Sequence, residues 1–213
     1  MDTRYANLIQ ASHSENSIIQ MIFAYLFFDI IFHSKKECFE SPFQDRPLDF
    51  GTKYFRESRF NEIEARLTDI FNNQYHHIIE TVDKQHRELE TQCVGMNWKG
   101  YDFETIIEIC DAIGGEKLSL ICELFIDSRE YSGGCPDLCL WKDGQVKFSE
   151  VKGEGDVLSA KQLTWLEFFT KNGIECEVFQ VLISGKKKSR KMMLENDVDL
   201  DCIEPVVVKK MKL

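Results

Sequence analysis

The spacing of hydrophobic and polar residues changes character near Gly133. Before that point, apolar residues recur every third or fourth position, which predicts helices. We expect these helices at about residues 15–33, 59–91, 103–110 and 116–127. The first is apolar on nearly every face and is interrupted only by Gln20 and Asp29, so it is expected to be buried rather than to lie on the surface.

After Gly133 the pattern is one of short apolar segments separated by turns. Residues 138–141 and 148–152 are predicted to be two strands joined by a turn at Asp143-Gly144. Ser159 then precedes apolar residues at helical spacing over 160–169, which indicates a capped helix. Residues 175–183 return to a strand pattern. The order strand, strand, helix, strand predicts a mixed α/β core.

Three charged residues lie where the two predicted strands meet. Asp137 opens the first strand, and Glu150 and Lys152 lie at the end of the second. Side chains alternate along a strand, so Glu150 and Lys152 are expected on one face, with the backbone carbonyl of Val151 near them. Two carboxylates and a carbonyl suit Mg²⁺ or Mn²⁺. With a metal polarising the phosphate and Lys152 neutralising charge, the expected reaction is phosphodiester cleavage.

Each fragment of this arrangement also has an ordinary structural explanation. A Glu-x-Lys pair on a strand is commonly an exposed polar face, and Pro136-Asp137 is commonly a turn before a strand. Short motifs match by chance, so neither fragment alone carries the prediction. The two fragments at hairpin distance make metal-dependent chemistry the stronger interpretation.

The residues around the hairpin resemble the VRR-NUC branch of the PD-(D/E)XK nuclease superfamily, and within it the Fanconi-associated nucleases. The resemblance rests on the segments 133–138, 150–153 and 156–166, and upstream segments extend it over about residues 15–183. It implies an α/β fold, a restriction-endonuclease-like mixed sheet core with a helical N-terminal part packed on it. The chain departs from the family where Gly153 is followed by Glu154-Gly155 rather than by a proline.

The same resemblance implies roles for individual residues. Asp137, Glu150 and Lys152 are expected to be catalytic, and the metal ligands are expected to be Glu15, Asp137, Glu150 and the carbonyl of Val151. Glu15 has a second explanation, because Ser12 and Glu15 have the spacing of a helix capping box, which would begin the first helix without any metal.

Two further residues are implied to bind DNA. Lys161, at the start of the helix after the second strand, is expected to contact a 5′ phosphate, and helix N-termini favour anions. A solvated surface lysine explains Lys161 equally well. Gln162 is expected to hold the phosphate backbone or, alternatively, a neighbouring carbonyl group.

The activity implied is that of a structure-selective DNA nuclease, a 5′-flap endonuclease and 5′-to-3′ exonuclease. It would act in the nucleus in DNA repair, including interstrand-crosslink repair, on branched or flapped DNA, with Mg²⁺ or Mn²⁺ and with DNA-repair proteins as partners. One alternative is a homodimeric VRR-NUC nuclease that resolves Holliday junctions, and another is an inactive DNA-binding module. Because the long helical segment would obstruct pairing of two nuclease cores, a monomer is expected.

Composition changes this picture in only a few respects. The net charge of −10 opposes phosphate binding, but basic clusters at residues 186–191 and 209–212 favour it locally. The first cluster is compatible with DNA contact, nuclear import or a solvated loop.

Eight cysteines without a C-x-x-C pair indicate reduced thiols in an intracellular protein. No segment has the length of a membrane span or the pattern of a signal peptide, so no membrane partner is expected.

The domain organisation follows from the same pattern. Residues 1–112 are predicted to form the helical part that precedes the nuclease core. Residues 113–213 are predicted to form the VRR-NUC core with a basic C-terminal tail. No linker rich in Pro, Gly or Ser separates the two parts, so they are expected to pack as one unit.

Overall fold

A computed structural model describes residues 10–13, 17–33, 38–127 and 133–181. Their strands form one four-stranded sheet in the order β1-β2-β3-β4. The sheet is mixed, because β1 and β2 pair antiparallel, β2 and β3 pair antiparallel, and β3 and β4 pair parallel. The strands are β1 (Gln10–His13), β2 (Leu138–Lys142), β3 (Gln145–Lys152) and β4 (Glu175–Gln180).

Seven helices lie within the described residues. Six of them precede the β2–β3 hairpin, and the seventh connects β3 to β4. They are α1 (Ser17–Ile31), α2 (Lys53–Ser58), α3 (Phe60–Phe71), α4 (His76–His86), α5 (Phe103–Ile113), α6 (Gly115–Asp127) and α7 (Ala160–Lys171). This mixed α/β architecture confirms the predicted fold class.

Helix α1 lies at the centre of the helical layer. Its residues from Ile18 onward are buried except for half-buried Gln20 and exposed Asp29, as the sequence predicts. It packs against α3, α4 and α5. Asp29 is compatible with this position because Arg66 of α3 pairs with it at 2.8 Å at the edge of the layer. No described helix is long and apolar enough to span a membrane.

The helical layer is joined to the sheet by α5. Asp102 caps this helix by accepting a 2.8 Å hydrogen bond from the Thr105 backbone N–H, and Gly114, with φ of 79°, ends it. The helix packs on β2 and β3, where Trp141 Nε1 donates to Glu108 Oε2 at 3.1 Å. Helix α7 packs against β4. Trp141, which bonds to α5, and Phe148, which stacks on Phe169 of α7, lie on the same face of the sheet, so both helices pack against that face.

The first half of the chain departs from the sequence-based predictions at Ser12 and at α2. Ser12 lies in β1, paired with Cys139, so it does not cap a helix, and α1 begins only at Ser17. The predicted helical segments over 59–91 are α3 and α4, separated by residues 72–75, where Asn73 has φ of 59°. Helix α2 lies between the predicted helical regions 15–33 and 59–91, where no helix is expected.

The cysteines behave as predicted. None of the seven described cysteines is in a disulfide, and Cys135 and Cys139 are buried. Burial raises the pKa of the Cys139 thiol to about 12, which keeps the thiol protonated at neutral pH.

Several predictions fall on residues that the structure does not describe. Glu15 and the two basic clusters lie outside the described residues. The predicted division at residue 112 falls in the last turn of α5 and stays a prediction. Strand β1, from the first part of the chain, nevertheless pairs with β2 of the second part.

Candidate active site

The predicted hairpin of β2 and β3 places Asp137 beside Val151. Strands β2 and β3 pair with Leu138 opposite Ser149, and Asp143, with φ of 47°, turns the chain between them. This register places Asp137, just before β2, beside the end of β3. Its Oδ2 atom accepts a 2.8 Å hydrogen bond from the backbone N–H of Val151. Asp137 is therefore fixed to the strand that carries the other predicted catalytic residues.

Glu150 and Lys152 lie on the same face of β3, as strand alternation predicts. Lys152 Nζ is 2.9 Å from Glu150 Oε1. Glu150 is 1% exposed and the Lys152 side chain is 15% exposed, so the pair is screened from bulk water. The exposed polar face that would explain a Glu-x-Lys pair without chemistry does not exist at this position.

The carboxylate of Glu150 is held in an environment that disfavours its charge. Burial raises the pKa of Glu150, and the negative charge of Asp137 raises this pKa further. The hydrogen bond and charge of Lys152 oppose this, as does the Asp137 backbone amide. Glu150 Oε2 is buried and has no hydrogen-bond partner among the residues that the structure describes. A buried, unpartnered carboxylate oxygen costs free energy unless a cation or donor binds it.

Helix α7 completes the site from the side. Ser159 Oγ accepts from the Gln162 backbone N–H at 3.3 Å, and the Gln162 side chain accepts from the Ser159 backbone N–H at 2.9 Å, which is a capping box. The Gln162 amide also contacts Lys152 and Glu150. The sequence predicts the cap at Ser159, but it gives no sign that Gln162 touches the two catalytic candidates.

Lys161 precedes Gln162 in the first turn of α7 and is exposed. The turn at Gly133-Gly134 passes directly beside it. Gly134 has φ of +86°, and a Cβ there would lie 2.6 Å from Lys161 Cβ, so only glycine allows this close approach. Trp165 Nε1 donates to the Gly133 carbonyl at 3.2 Å. The start of α7 is thus tied to the segment that leads into Asp137.

The residues present fit a hard divalent cation. Asp137 and Glu150 supply carboxylate oxygens at the end of one hairpin, and the unpartnered Oε2 of Glu150 is the kind of atom that a cation would satisfy. Within residues 10–13, 17–33, 38–127 and 133–181, no group of three or more His, Cys, Asp or Glu side chains is placed to hold a metal. A third carboxylate would have to come from elsewhere, and Glu15 lies outside those ranges.

A comparison with known protein families finds a match to this chain. The family model of the VRR-NUC domain matches residues 72–182, slightly more than half of the chain. The chain belongs to the VRR-NUC family. The match includes the whole β2–β3 hairpin and α7, so the convergence of Asp137, Glu150 and Lys152 lies inside the VRR-NUC domain. It also includes α4 and α5, which the predicted division at residue 112 assigns to the preceding helical part.

Individual VRR-NUC proteins are similar over most of this chain. It is 39% identical over 178 residues to the Fanconi-associated nuclease 1 homolog of Schizosaccharomyces pombe, which covers 82% of this chain and 25% of that protein. It is 33% identical over 190 residues to the Homo sapiens Fanconi-associated nuclease 1, with coverage of 86% and 19%. The chain therefore spans a quarter or less of these two relatives.

A solved VRR-NUC structure shares the fold. The crystal structure of paFAN1 bound to 2nt 5′ flap DNA with a gap superposes with a TM-score of 0.76, at 24% identity, over 84% of this chain and 33% of that chain. At this identity the likeness shows the fold. It supports the predicted mixed α/β architecture, and the superposition covers most of the chain.

Proposed function

We propose that this VRR-NUC chain is a divalent-metal-dependent DNA nuclease that cuts 5′ flaps and degrades DNA from 5′ to 3′. The proposal extends to a role in DNA repair in the nucleus, including interstrand-crosslink repair. The main support for nuclease activity is that Asp137, buried Glu150 and Lys152 lie together at one end of the β2–β3 hairpin.

In this proposal Asp137, Glu150 and the Val151 carbonyl hold the cation, with Glu15 as a further ligand. The cation, Mg²⁺ or Mn²⁺, would polarise the phosphate and lower the pKa of a bound water. Asp137 is held in place by the Val151 N–H, so one of its oxygens is committed to the strand. Glu150 offers Oε2, the oxygen that has no partner.

Lys152 has a separate task in the same proposal. Its ammonium group pairs with Glu150 Oε1 and so stays at the site when the substrate enters. A fixed positive charge there stabilises the negative charge that develops on the phosphoryl oxygens, and the same group can orient the attacking water. Because the side chain is largely buried, this charge acts with little screening by bulk water.

Support for the substrate class comes from the relatives. The similar proteins bear the name Fanconi-associated nuclease, and paFAN1 was crystallised with 5′-flap DNA. Lys161 is exposed in the first turn of α7, within reach of Gly133, which is compatible with its proposed contact with a 5′ phosphate. Repair-protein partners would bind surfaces outside this site, and the proposed state is a monomer.

The direct test is cleavage of end-labelled DNA by the purified chain. The substrates are a 5′ flap, a Holliday junction, a single strand and a blunt duplex, each with Mn²⁺, Mg²⁺ or EDTA. We expect cuts near the flap branch and stepwise loss from 5′ ends, both abolished by EDTA. A Glu150→Ala preparation controls for contaminating nucleases.

Other patterns would contradict the proposal. Symmetric cutting of the Holliday junction by a dimer would favour the junction-resolving alternative. DNA binding without cleavage in either metal would mean that this chain alone is not a nuclease. Cleavage that survives EDTA would exclude metal dependence.

A further inference from the structure

Gln162 occupies a position that links α7 to the catalytic strand. It is the third residue of α7, and its side chain closes the capping box with Ser159. A capping box needs nothing beyond the two cap residues. The Gln162 side chain nevertheless makes two further contacts, both with β3, on the face that carries Glu150 and Lys152.

The hydrogen bonds fix the orientation of the Gln162 amide. Its Oε1 atom accepts from Lys152 Nζ at 3.1 Å and from the Ser159 backbone N–H at 2.9 Å. Both partners can only donate, so the atom they share must be the carbonyl oxygen. The amide nitrogen Nε2 is thereby directed at Glu150 Oε1, to which it donates.

This arrangement assigns different tasks to the two oxygens of Glu150. Oε1 receives both the Gln162 amide and the Lys152 ammonium, whereas the buried Oε2 has no partner. Lys152 likewise uses one N–H for Glu150 and one for Gln162, so one of its three donors remains for other groups. Gln162 therefore sets which carboxylate oxygen and which ammonium donor face the substrate side.

The start of α7, which carries Gln162, is held in place by close contacts. The start of α7 lies against Gly134, where even a methyl group would meet Lys161 backbone carbon at 2.9 Å. Trp165, buried one turn further on, bonds to the Gly133 carbonyl. The helix terminus, the segment before Asp137 and the end of β3 thus hold one another in place.

We infer that Gln162 is a positioning residue, whose amide clamps Glu150 Oε1 and Lys152 Nζ and thereby orients both groups for the metal and the phosphate. The inference rests on the proposed function for its consequence in catalysis. It gives Gln162 a different task from the contact with the DNA backbone that the family resemblance implies. The Gln162 amide oxygen already accepts from two groups and one amide N–H is engaged with Glu150, so only the second N–H remains for another acceptor.

The test compares variants that damage the same cap in different ways. Gln162→Met keeps the length of the side chain but removes every amide contact. Ser159→Ala removes only the hydroxyl half of the capping box and leaves the Ser159 backbone N–H in place. Gln162→Glu retains a capping-box residue and an acceptor for Lys152, but it loses the donor to Glu150 and adds a like charge beside it. The melting temperature, Mn²⁺ affinity without DNA, kcat and KM on the 5′ flap are measured for each.

We expect Gln162→Met and Ser159→Ala to lower the melting temperature by similar amounts, because each breaks the cap. Only Gln162→Met should weaken Mn²⁺ binding, and it should lower kcat by about 10- to 100-fold, the usual loss when the partner of a metal ligand is removed. Its KM for DNA should stay near that of the wild type. Gln162→Glu should also lower kcat, because it has no donor for Glu150.

Two results would overturn the inference. If Gln162→Met matched Ser159→Ala in Mn²⁺ affinity and kcat, Gln162 would be a cap and nothing more. If it raised KM with kcat and Mn²⁺ affinity unchanged, it would be a DNA contact. Should the wild type bind Mn²⁺ without cutting DNA, the proposed function fails, and the Mn²⁺ titrations of the two variants still decide the role of Gln162.

Discussion

Lys152 Nζ lies 2.9 Å from Glu150 Oε1, and both side chains extend from the same face of β3 into a site from which bulk water is largely excluded. A lysine in this position is both the counter-ion of a buried carboxylate and the nearest positive charge to a phosphate bound there. Its removal should therefore slow catalysis and also lower stability, because it leaves a buried carboxylate without its counter-ion.

Lys152→Met keeps most of the apolar stem and removes the charge. We expect kcat on the 5′ flap to fall by about 10²- to 10⁴-fold, the range for a positioned group that acts on a proton or on developing charge. Lys171→Ala, at the exposed end of α7, is the control and should cut at the wild-type rate. A Lys152→Met protein that retains normal kcat would remove Lys152 from the mechanism.

Glu150 should make stability depend on pH in the direction opposite to a surface carboxylate. Because burial raises its pKa, the folded protein keeps this proton to a higher pH than the unfolded chain does. Folded chains then bind more protons than unfolded chains in the window just above the ordinary pKa of a carboxyl group. The free energy of unfolding falls as the pH rises through that window.

Glu150→Gln removes this titration. In EDTA, we expect the free energy of unfolding of Glu150→Gln to increase relative to the wild type as the pH is raised from acidic to neutral. Urea unfolding at a series of pH values measures the difference. A wild type that gains stability over Glu150→Gln on the same pH rise would show that the folded protein favours the ionised carboxylate.

Gly134 and Gly144 form a matched pair for testing the contact between α7 and the segment before Asp137. Both have positive φ, 86° and 74°, but a Cβ at Gly144 would meet nothing within 4 Å, whereas one at Gly134 would meet Lys161 at 2.6 Å. Each alanine substitution carries the cost of the left-handed backbone. We expect Gly134→Ala to lower the free energy of unfolding by about 1–3 kcal/mol more than Gly144→Ala, because only it overpacks.

The rate of flap cleavage tests the same two glycine variants in a second way. Gly134→Ala should also slow flap cleavage, since it displaces the helix terminus that holds Gln162. Gly144→Ala should not, because the hairpin turn lies at the opposite end of β3. Equal losses of stability and rate in the two variants would mean that α7 does not rest on Gly134.

The sequence predicts the nuclease half of the fold better than the helical half. The β2–β3 hairpin, the Ser159 cap and β4 depend on local signals: an Asp-Gly turn, a capping residue and strand alternation. Those signals also suffice to bring Asp137, Glu150 and Lys152 together, because hairpin geometry alone fixes their separation. The family resemblance adds roles to these residues, and the structure adds their burial.

Strand β1 and the contacts of Gln162 depend on distant partners and are not visible in the sequence. The strand reads Gln-Ala-Ser-His, which has no strand periodicity, and it is a strand only because it pairs with β2. Gln162 meets residues of β3 that lie ten and twelve positions earlier, a separation that no periodicity marks. The exact boundary between α3 and α4 is not marked by glycine or proline, because Asn73 takes the left-handed conformation there.

A buried ion pair in the helical layer gives a test of that part of the fold. Arg59 is fully buried and pairs with Asp49 at 2.7 Å, while Arg59 Nε, Arg59 Nη2 and Asp49 Oδ1 have no partner. Asp49→Asn would leave a buried guanidinium without its counter-charge and should lower the free energy of unfolding by about 3–5 kcal/mol. Asp45→Asn, in the exposed pair with Arg46, should cost less than about 1 kcal/mol. Similar losses in the two variants would contradict this account.

The central claim is that Asp137 holds the metal at the end of the hairpin. The most direct measurement is the rate of 5′-flap cleavage in Mn²⁺ by the wild type, Asp137→Asn and Asp143→Asn. Asp143 is the matched control, because it is an exposed acid in the turn of the same hairpin and asparagine tolerates its φ of 47°. We predict that Asp137→Asn abolishes cleavage while Asp143→Asn cuts at the wild-type rate. Wild-type cleavage by Asp137→Asn would contradict the claim.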